Sequence, residues 1–192
     1  MEPRAASKLR PEAVSVRDLS ENEIPMILDY WFHSPPGFIE GMAVDPAKMP
    51  TEAQMEKNLR EKVGENKKLP SSKLNALIIC HDGQAIGMHT INPLIEGDHG
   101  IFHAHICNPE FRSRGLGMLS YPKACRIFID RFNLKRIVFK TPVGNLGPIR
   151  VKEKLGIRQI GEEVIGFSII KDNTPARVFE LTREEIDQRW PR

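Results

Sequence analysis

Two groups of residues in this chain could do chemistry. Arg112, Ser113, Arg114, Gly115, Leu116 and Gly117 lie between an apolar run over residues 100–107 and a segment with helical periodicity from about residue 115 to 129. A strand that feeds a glycine-punctuated loop into a helix start is an anion site. The first helical N–H groups have no partner there, and the helix dipole is positive. Gly115 and Gly117 keep side chains away from those N–H groups, and Arg112 and Arg114 add charge. A Gly-rich turn with no ligand is the plain alternative. Just upstream, His103 and His105 are two residues apart, which puts them on one face of a strand. Imidazole titrates near neutrality and can take a proton from a nucleophile. A hydrogen-bonded histidine with no catalytic part is equally open for either one. His-x-His can also chelate, but His99, His89 and Asp98 complete no standard ligand spacing, so no metal is expected.

A second motif follows in order. Asn145 precedes a helical segment that carries Arg150, Val151, Glu153, Lys154, Leu155 and Gly156. Gly156 suits a left-handed helix cap and Pro148 a first helical turn. The loop resembles motif A of the GNAT superfamily of N-acetyltransferases, Arg/Gln-x-x-Gly-x-Gly/Ala, with Arg112, Gly115 and Gly117 in place. Its Pro-Glu-aromatic lead-in is Pro109, Glu110 and Phe111. The later segment resembles motif B in the form of the ribosomal-protein N-acetyltransferase branch, with Ile157 where Phe is usual.

The resemblance implies an α/β (α+β) fold: a mixed, mostly antiparallel sheet of about seven strands flanked by helices, splayed between the strand at 101–107 and the strand at 136–140. It implies acetyl-coenzyme A as co-substrate. Residues 112–117, with Met118, would hold its pyrophosphate. The backbone of Ile106 and Cys107 would run beside the pantetheine arm, and Asn145 would hydrogen-bond to it. Lys152 stands against the cofactor where many members carry a Tyr near the thiol sulfur. The general acid is therefore open between Ser120, Cys107 and water, or the thiolate leaves unassisted. His105, nearer the splay, is the first choice of base and His103 the second. The acceptor would be a primary amine on a small molecule, peptide or protein, attacked in a ternary complex. A non-catalytic acyl-coenzyme A sensor is the alternative, because the Tyr is missing. A homodimer is compatible, since dimers are frequent in the superfamily.

These residues need a scaffold to position them. Val14 to Leu19 alternates as a first strand, and Ser20 with Glu23 forms a capping box ahead of a helix bearing Ile24, Ile27, Tyr30 and Trp31. Residues 38–50 are irregular. Thr51 opens a second helix, ending before an exposed turn at 64–70. Runs at 74–81 and 84–91 flank Asp82-Gly83, a hairpin signal. A connection over 92–100 leads to the next strand. Pro122 inside the following helix predicts a kink or a late start. Strands near 158–165 and 176–181 and a helix over 182–190 close the chain.

At 192 residues one domain over 14–192 is expected, after a flexible segment over 1–13. A net charge of +3 is too mild to argue for nucleic acid. No apolar run approaches a membrane span, and the N-terminus lacks a signal-like apolar core, which predicts a cytoplasmic protein that does not engage membranes. Cys80, Cys107 and Cys125 stand far apart in apolar segments and read as buried thiols.

Overall fold

The computed structural model describes residues 10–191. Most of the expected N-terminal segment lies outside the described residues; Pro11–Ala13 forms a 3-10 turn. In chain order the elements are β1 (Val14–Asp18), α1 (Ile24–Phe32), α2 (Glu52–Asn66), β2 (Ala76–His81), β3 (Gln84–Ile95), β4 (His99–Ile106), α3 (Leu116–Arg131), β5 (Arg136–Pro142), α4 (Leu146–Lys154), β6 (Arg158–Ile165), β7 (Thr174–Thr182) and α5 (Arg183–Arg189). The strands form one seven-stranded sheet in the order β1-β2-β3-β4-β5-β7-β6. All neighbours are antiparallel except β4 and β5.

That parallel pair positions the site. β4 and β5 are in register only at His99–Arg136, Gly100–Ile137 and Ile101–Val138. Beyond them β4 runs on to Ile106 and β5 to Pro142, so two strand ends diverge and leave backbone unpaired between them. The splay falls where the family resemblance places it.

Each face of the sheet has its own core. Tyr121, Ala124, Phe128 and Ile129 of α3 pack with Phe102, Phe139 and Phe179 on one face. Ile27 and Tyr30 of α1 and Val63 of α2 pack with Ile78, Met88 and Cys107 on the other. Alternation along β4 therefore sends Phe102 toward α3 and turns His103 and His105 toward the α1 side.

Local signals explain most boundaries. Asp82 and Gly83 both have positive φ, 47° and 81°, the backbone of a two-residue hairpin turn. Glu23 reaches back to the Ser20 N–H at 3.1 Å, as a capping box requires. Gly156 closes α4 at φ +65°. Three expectations need adjusting. α2 continues through Gly64 to Asn66, because Gly64 has room and one glycine costs a helix only about 1 kcal/mol. β3 runs past Ile91 to Ile95, so the reversal falls at residues 96–98 and β4 starts at His99. The register slips between Ile91 and Leu94, and this bulge accommodates Pro93, which has no N–H for the ladder. α3 runs unbroken past Pro122, starts at Leu116 and loses only the one backbone bond that proline cannot make.

Candidate active site

The loop after β4 enters α3 through Gly115, whose φ of +75° is left-handed. A side chain there would be strained. Leu116 and Gly117, the first helical residues, have no intrahelical acceptor for their N–H groups. Met118 turns its N–H back onto the Gly115 carbonyl at 3.0 Å. Gly117 is informative in another way. A Cβ there would meet no protein atom within 4 Å, so packing does not demand a glycine. The open space in front of it is the cleft.

Arg112 and Arg114 do not crowd that space. The Arg112 guanidinium donates to the carbonyls of Ile106 (3.0 Å) and Cys107 (2.9 Å) and lies 4.2 Å from the centre of the Phe38 ring. It ties the end of β4 to the loop. Arg114 lies over the Phe111 ring at 5.6 Å, outside the cleft lining.

The cleft has a volume of about 550 Å³ and follows the splay. Ile106, Arg112, Ser113, Gly115, Leu116, Gly117 and Met118 line one end, and Asn145 and Lys152 line the β5 side. Cys107 is outside the lining. Its thiol is buried against the α1 side, and burial pushes its pKa up to about 12, so it is no ready proton donor or nucleophile.

His103 and His105 both line the cleft, half-buried, and desolvation lowers the proton affinity of each. His105 is pushed down to about 3, with the neighbouring His103 adding to the effect. His103 Nε2 is 2.7 Å from the Asn92 carbonyl. A carbonyl only accepts, so Nε2 carries the proton and Nδ1 is left as an acceptor. His105 Nδ1 is 2.9 Å from the Tyr30 hydroxyl, with the Tyr30 and Trp31 rings edge-on to the imidazole. Tyr30 has a second neighbour in Met42 Sδ at 3.2 Å. The hydroxyl has one proton: when it goes to Met42 Sδ, His105 Nδ1–H donates to the Tyr30 oxygen, and when it goes to Nδ1, the His105 proton sits on Nε2. His103 thus presents Nδ1 as an acceptor, and the His105 tautomer follows the Tyr30 hydroxyl.

Residues 49–157 match the sequence profile of the acetyltransferase (GNAT) family. The chain belongs to the GNAT family. The enzyme is an acyltransferase. A search of curated protein sequences finds no match. Solved structures share its fold. A spermidine N-acetyltransferase from Vibrio cholerae in complex with CoA and spermine matches with a TM-score of 0.69 and 14% identity, over 91% of this chain and 98% of that one. An aminoglycoside acetyltransferase in complex with coenzyme A matches with 0.67 and 16%, over 92% and 98%. A ribosomal-protein-S5-alanine acetyltransferase from Vibrio fischeri matches with 0.68 and 14%, over 92% and 97%. At these identities the likeness is one of fold. Among the described residues no cluster of three or more His, Cys, Asp or Glu could hold a metal ion, and no helix is long and apolar enough to cross a membrane.

Lys152 stands where the family resemblance places a Tyr. The side chain is 3% exposed and lies on the α3/α4 face, near the aromatic rings of Tyr121, Phe139 and Phe179 at 5.3 to 5.9 Å. It donates a hydrogen bond to the Pro148 carbonyl of its own helix at 3.2 Å, and among the described residues it forms no salt bridge. Burial without a carboxylate pushes the ammonium down to about 7, although Cys125 nearby works the other way. Lys152 lowers the proton affinity of His103, so the two groups sense each other across the splay.

Three residues at the site escape a reading of the sequence alone. The Tyr30 hydroxyl sits on the apolar face of α1 and reads as core. The Asn92 carbonyl is backbone. Gly87 carries a signal: an isolated glycine in a strand marks close backbone approach. A Cβ on Gly87 would lie 2.2 Å from the His105 carbonyl oxygen. The pair Gly87–Ile106 thus sets how closely β4 lies against β3 at the point where it leaves β5.

Proposed function

We propose that this GNAT enzyme transfers the acetyl group of acetyl-coenzyme A to a primary amine by direct attack in a ternary complex. The observation that carries this reading is the splayed cleft, which joins the α3 N-terminus at Gly117 to a histidine pair on one side and a buried lysine on the other. Acetyl-coenzyme A supplies an activated acyl thioester when bound. The N–H groups of Leu116 and Gly117 would hold its pyrophosphate, and Asn145 would hydrogen-bond to the pantetheine arm.

The remaining steps belong to side chains. His103 Nδ1 accepts a proton from the attacking nitrogen, and His105, in the tautomer whose Nδ1 accepts from Tyr30, donates its Nε2–H toward the acyl oxygen as it gains charge. His105 is the poorer proton acceptor because burial pushes it down to about 3. As the C–N bond forms and the C–S bond breaks, the Lys152 ammonium gives a proton to the departing sulfur. Its position on the α4 side and its proton affinity near neutrality suit that role.

Isothermal titration with acetyl-coenzyme A is the test of the cofactor site, with Gly117→Glu as the variant. Wild-type binding that the variant abolishes is expected, and binding unchanged by the variant would remove the basis of the reading. Thiol release across an amine panel then tests transfer. Tight cofactor binding with silence toward every amine would identify a non-catalytic acyl-coenzyme A sensor instead.

A further inference from the structure

Resting on the acetyltransferase reading above, we infer that the acceptor is a small apolar monoamine of low basicity, an α-amino group beside an aromatic or branched side chain, and not a polycation. The acceptor end of the cleft lies on the α1 side of the sheet, opposite Lys152. Tyr30, Trp31, Phe38, Met42 and Val44 wall it from one segment. Phe167, Ile169 and Ile170 wall it from the loop between β6 and β7.

No Asp or Glu lines the cleft among the described residues. The acidic residues of these two segments are committed or turned away. Asp45 accepts the Ala47 N–H at 3.0 Å, Asp172 pairs with Lys48 at 2.5 Å, and Glu163 pairs with Lys140 at 2.5 Å. Glu40 is outside the lining. The basic side chains that do line the cleft are Arg112, Lys140, which is paired with Glu163, and Lys152, whose proton affinity is pushed down to about 7. Such a chamber offers neither a single ammonium nor further positive charges a counter-ion. An amine must therefore enter neutral. An α-amino group with a pKa of about 7.7–8.0 is neutral for a quarter or so of the time near pH 7.4, against about one part in a thousand for an amine at 10.4.

The two walls are also joined. The Asp45 N–H donates to the Ile169 carbonyl at 2.7 Å, the Lys171 N–H donates to the Ala43 carbonyl at 2.9 Å, and Val44 and Ile170 form a β-bridge. Lys48 Nζ adds bonds to the carbonyls of Gly166 (3.3 Å) and Ile170 (3.0 Å). A rim stitched in this way favours a small acceptor over a folded protein surface.

The test compares L-phenylalaninamide, spermidine and kanamycin by thiol release at pH 7.4, after titration calorimetry has established acetyl-coenzyme A binding. The expected kcat/KM for phenylalaninamide exceeds those of the polycations by at least about a hundredfold, following the neutral fractions. Calorimetry in the presence of coenzyme A should show phenylalaninamide binding and no spermidine binding. In Ile169→Glu, spermidine kcat/KM should rise at least tenfold and that of phenylalaninamide should fall. Spermidine or kanamycin within tenfold of phenylalaninamide in the wild type would overturn the inference while leaving the acetyltransferase reading intact. Failure of every apolar monoamine, with acetyl-coenzyme A bound, would overturn it too. Absence of acetyl-coenzyme A binding would instead overturn the reading beneath it.

Discussion

Lys152→Met separates two effects that Lys152 has on the same molecule. The methionine keeps the length and most of the volume of the lysine stem, so packing against Tyr121, Phe139 and Phe179 is largely retained. What disappears is a buried amine without a carboxylate. Its proton affinity falls from the ordinary 10.5 to about 7. At 1.36 kcal/mol per tenfold in proton affinity, holding the charged form inside the fold costs at most about 5 kcal/mol. The sign follows from linkage. Between pH 7 and 10.5 the unfolded chain keeps this proton and the folded chain releases it, so the wild type gains stability as pH rises through that window. Below pH 7 the full cost is present.

Lys152→Met should therefore stabilise the protein most at pH 6, by up to about 5 kcal/mol. The advantage should shrink by about 1.4 kcal/mol per pH unit above pH 7. Urea melts of both proteins from pH 6 to pH 10 measure it, because other titrating groups cancel in the difference. Activity should move the opposite way, with kcat falling about a hundredfold if the ammonium is the proton donor. A variant less stable than wild type at pH 6, or a stability difference flat from pH 6 to pH 10, would refute the reasoning.

Other substitutions probe the remaining parts. Gly87→Ala should destabilise by about 1–3 kcal/mol in urea melts, since its Cβ meets the His105 carbonyl at 2.2 Å; it should also cut kcat more than an equally destabilising change in α5. His103→Ala should lose more activity at pH 7 than at pH 9, where amines lose their proton unaided, and an equal loss at both would argue against a proton-accepting role. Tyr30→Phe should remove the partner of His105 Nδ1, and nitrogen NMR of the imidazole should report a change of tautomer or a mixture. Gly117→Ala should weaken acetyl-coenzyme A binding while leaving the melting temperature unchanged or slightly raised, because nothing in the protein occupies that space.

The parts of this enzyme that could be read from its sequence are those determined by short stretches of chain. Gly156 announces a left-handed helix cap, Asp82-Gly83 a hairpin, and His103 with His105 a shared face, each from a short stretch of sequence. The splay was legible only through the family resemblance, because no local pattern says that β4 will leave β5 after Ile101. Side-chain engagement was not legible at all. Arg112 looks like a phosphate ligand until its guanidinium is seen holding the carbonyls of Ile106 and Cys107.

The chemistry of the acceptor end was hidden for a stronger physical reason. Residues 38–45 and 166–172 have no periodicity and little charge, and they lie more than a hundred positions apart. Their meaning arises where the Val44–Ile170 bridge brings them together. Only there do Phe38, Met42 and Val44 face Phe167, Ile169 and Ile170, with each carboxylate of the neighbourhood paired or outside the lining. Folding neutralises acids that composition counts as available. The anion loop at Gly117 and the carboxylate-free chamber near His105 follow the same logic from opposite ends. One exposes backbone N–H groups to attract charge, and the other removes every counter-charge that would let a protonated amine settle. A cleft built this way binds a polyanionic cofactor at one end and requires a neutral nucleophile at the other, which is the condition for attack without a strong base.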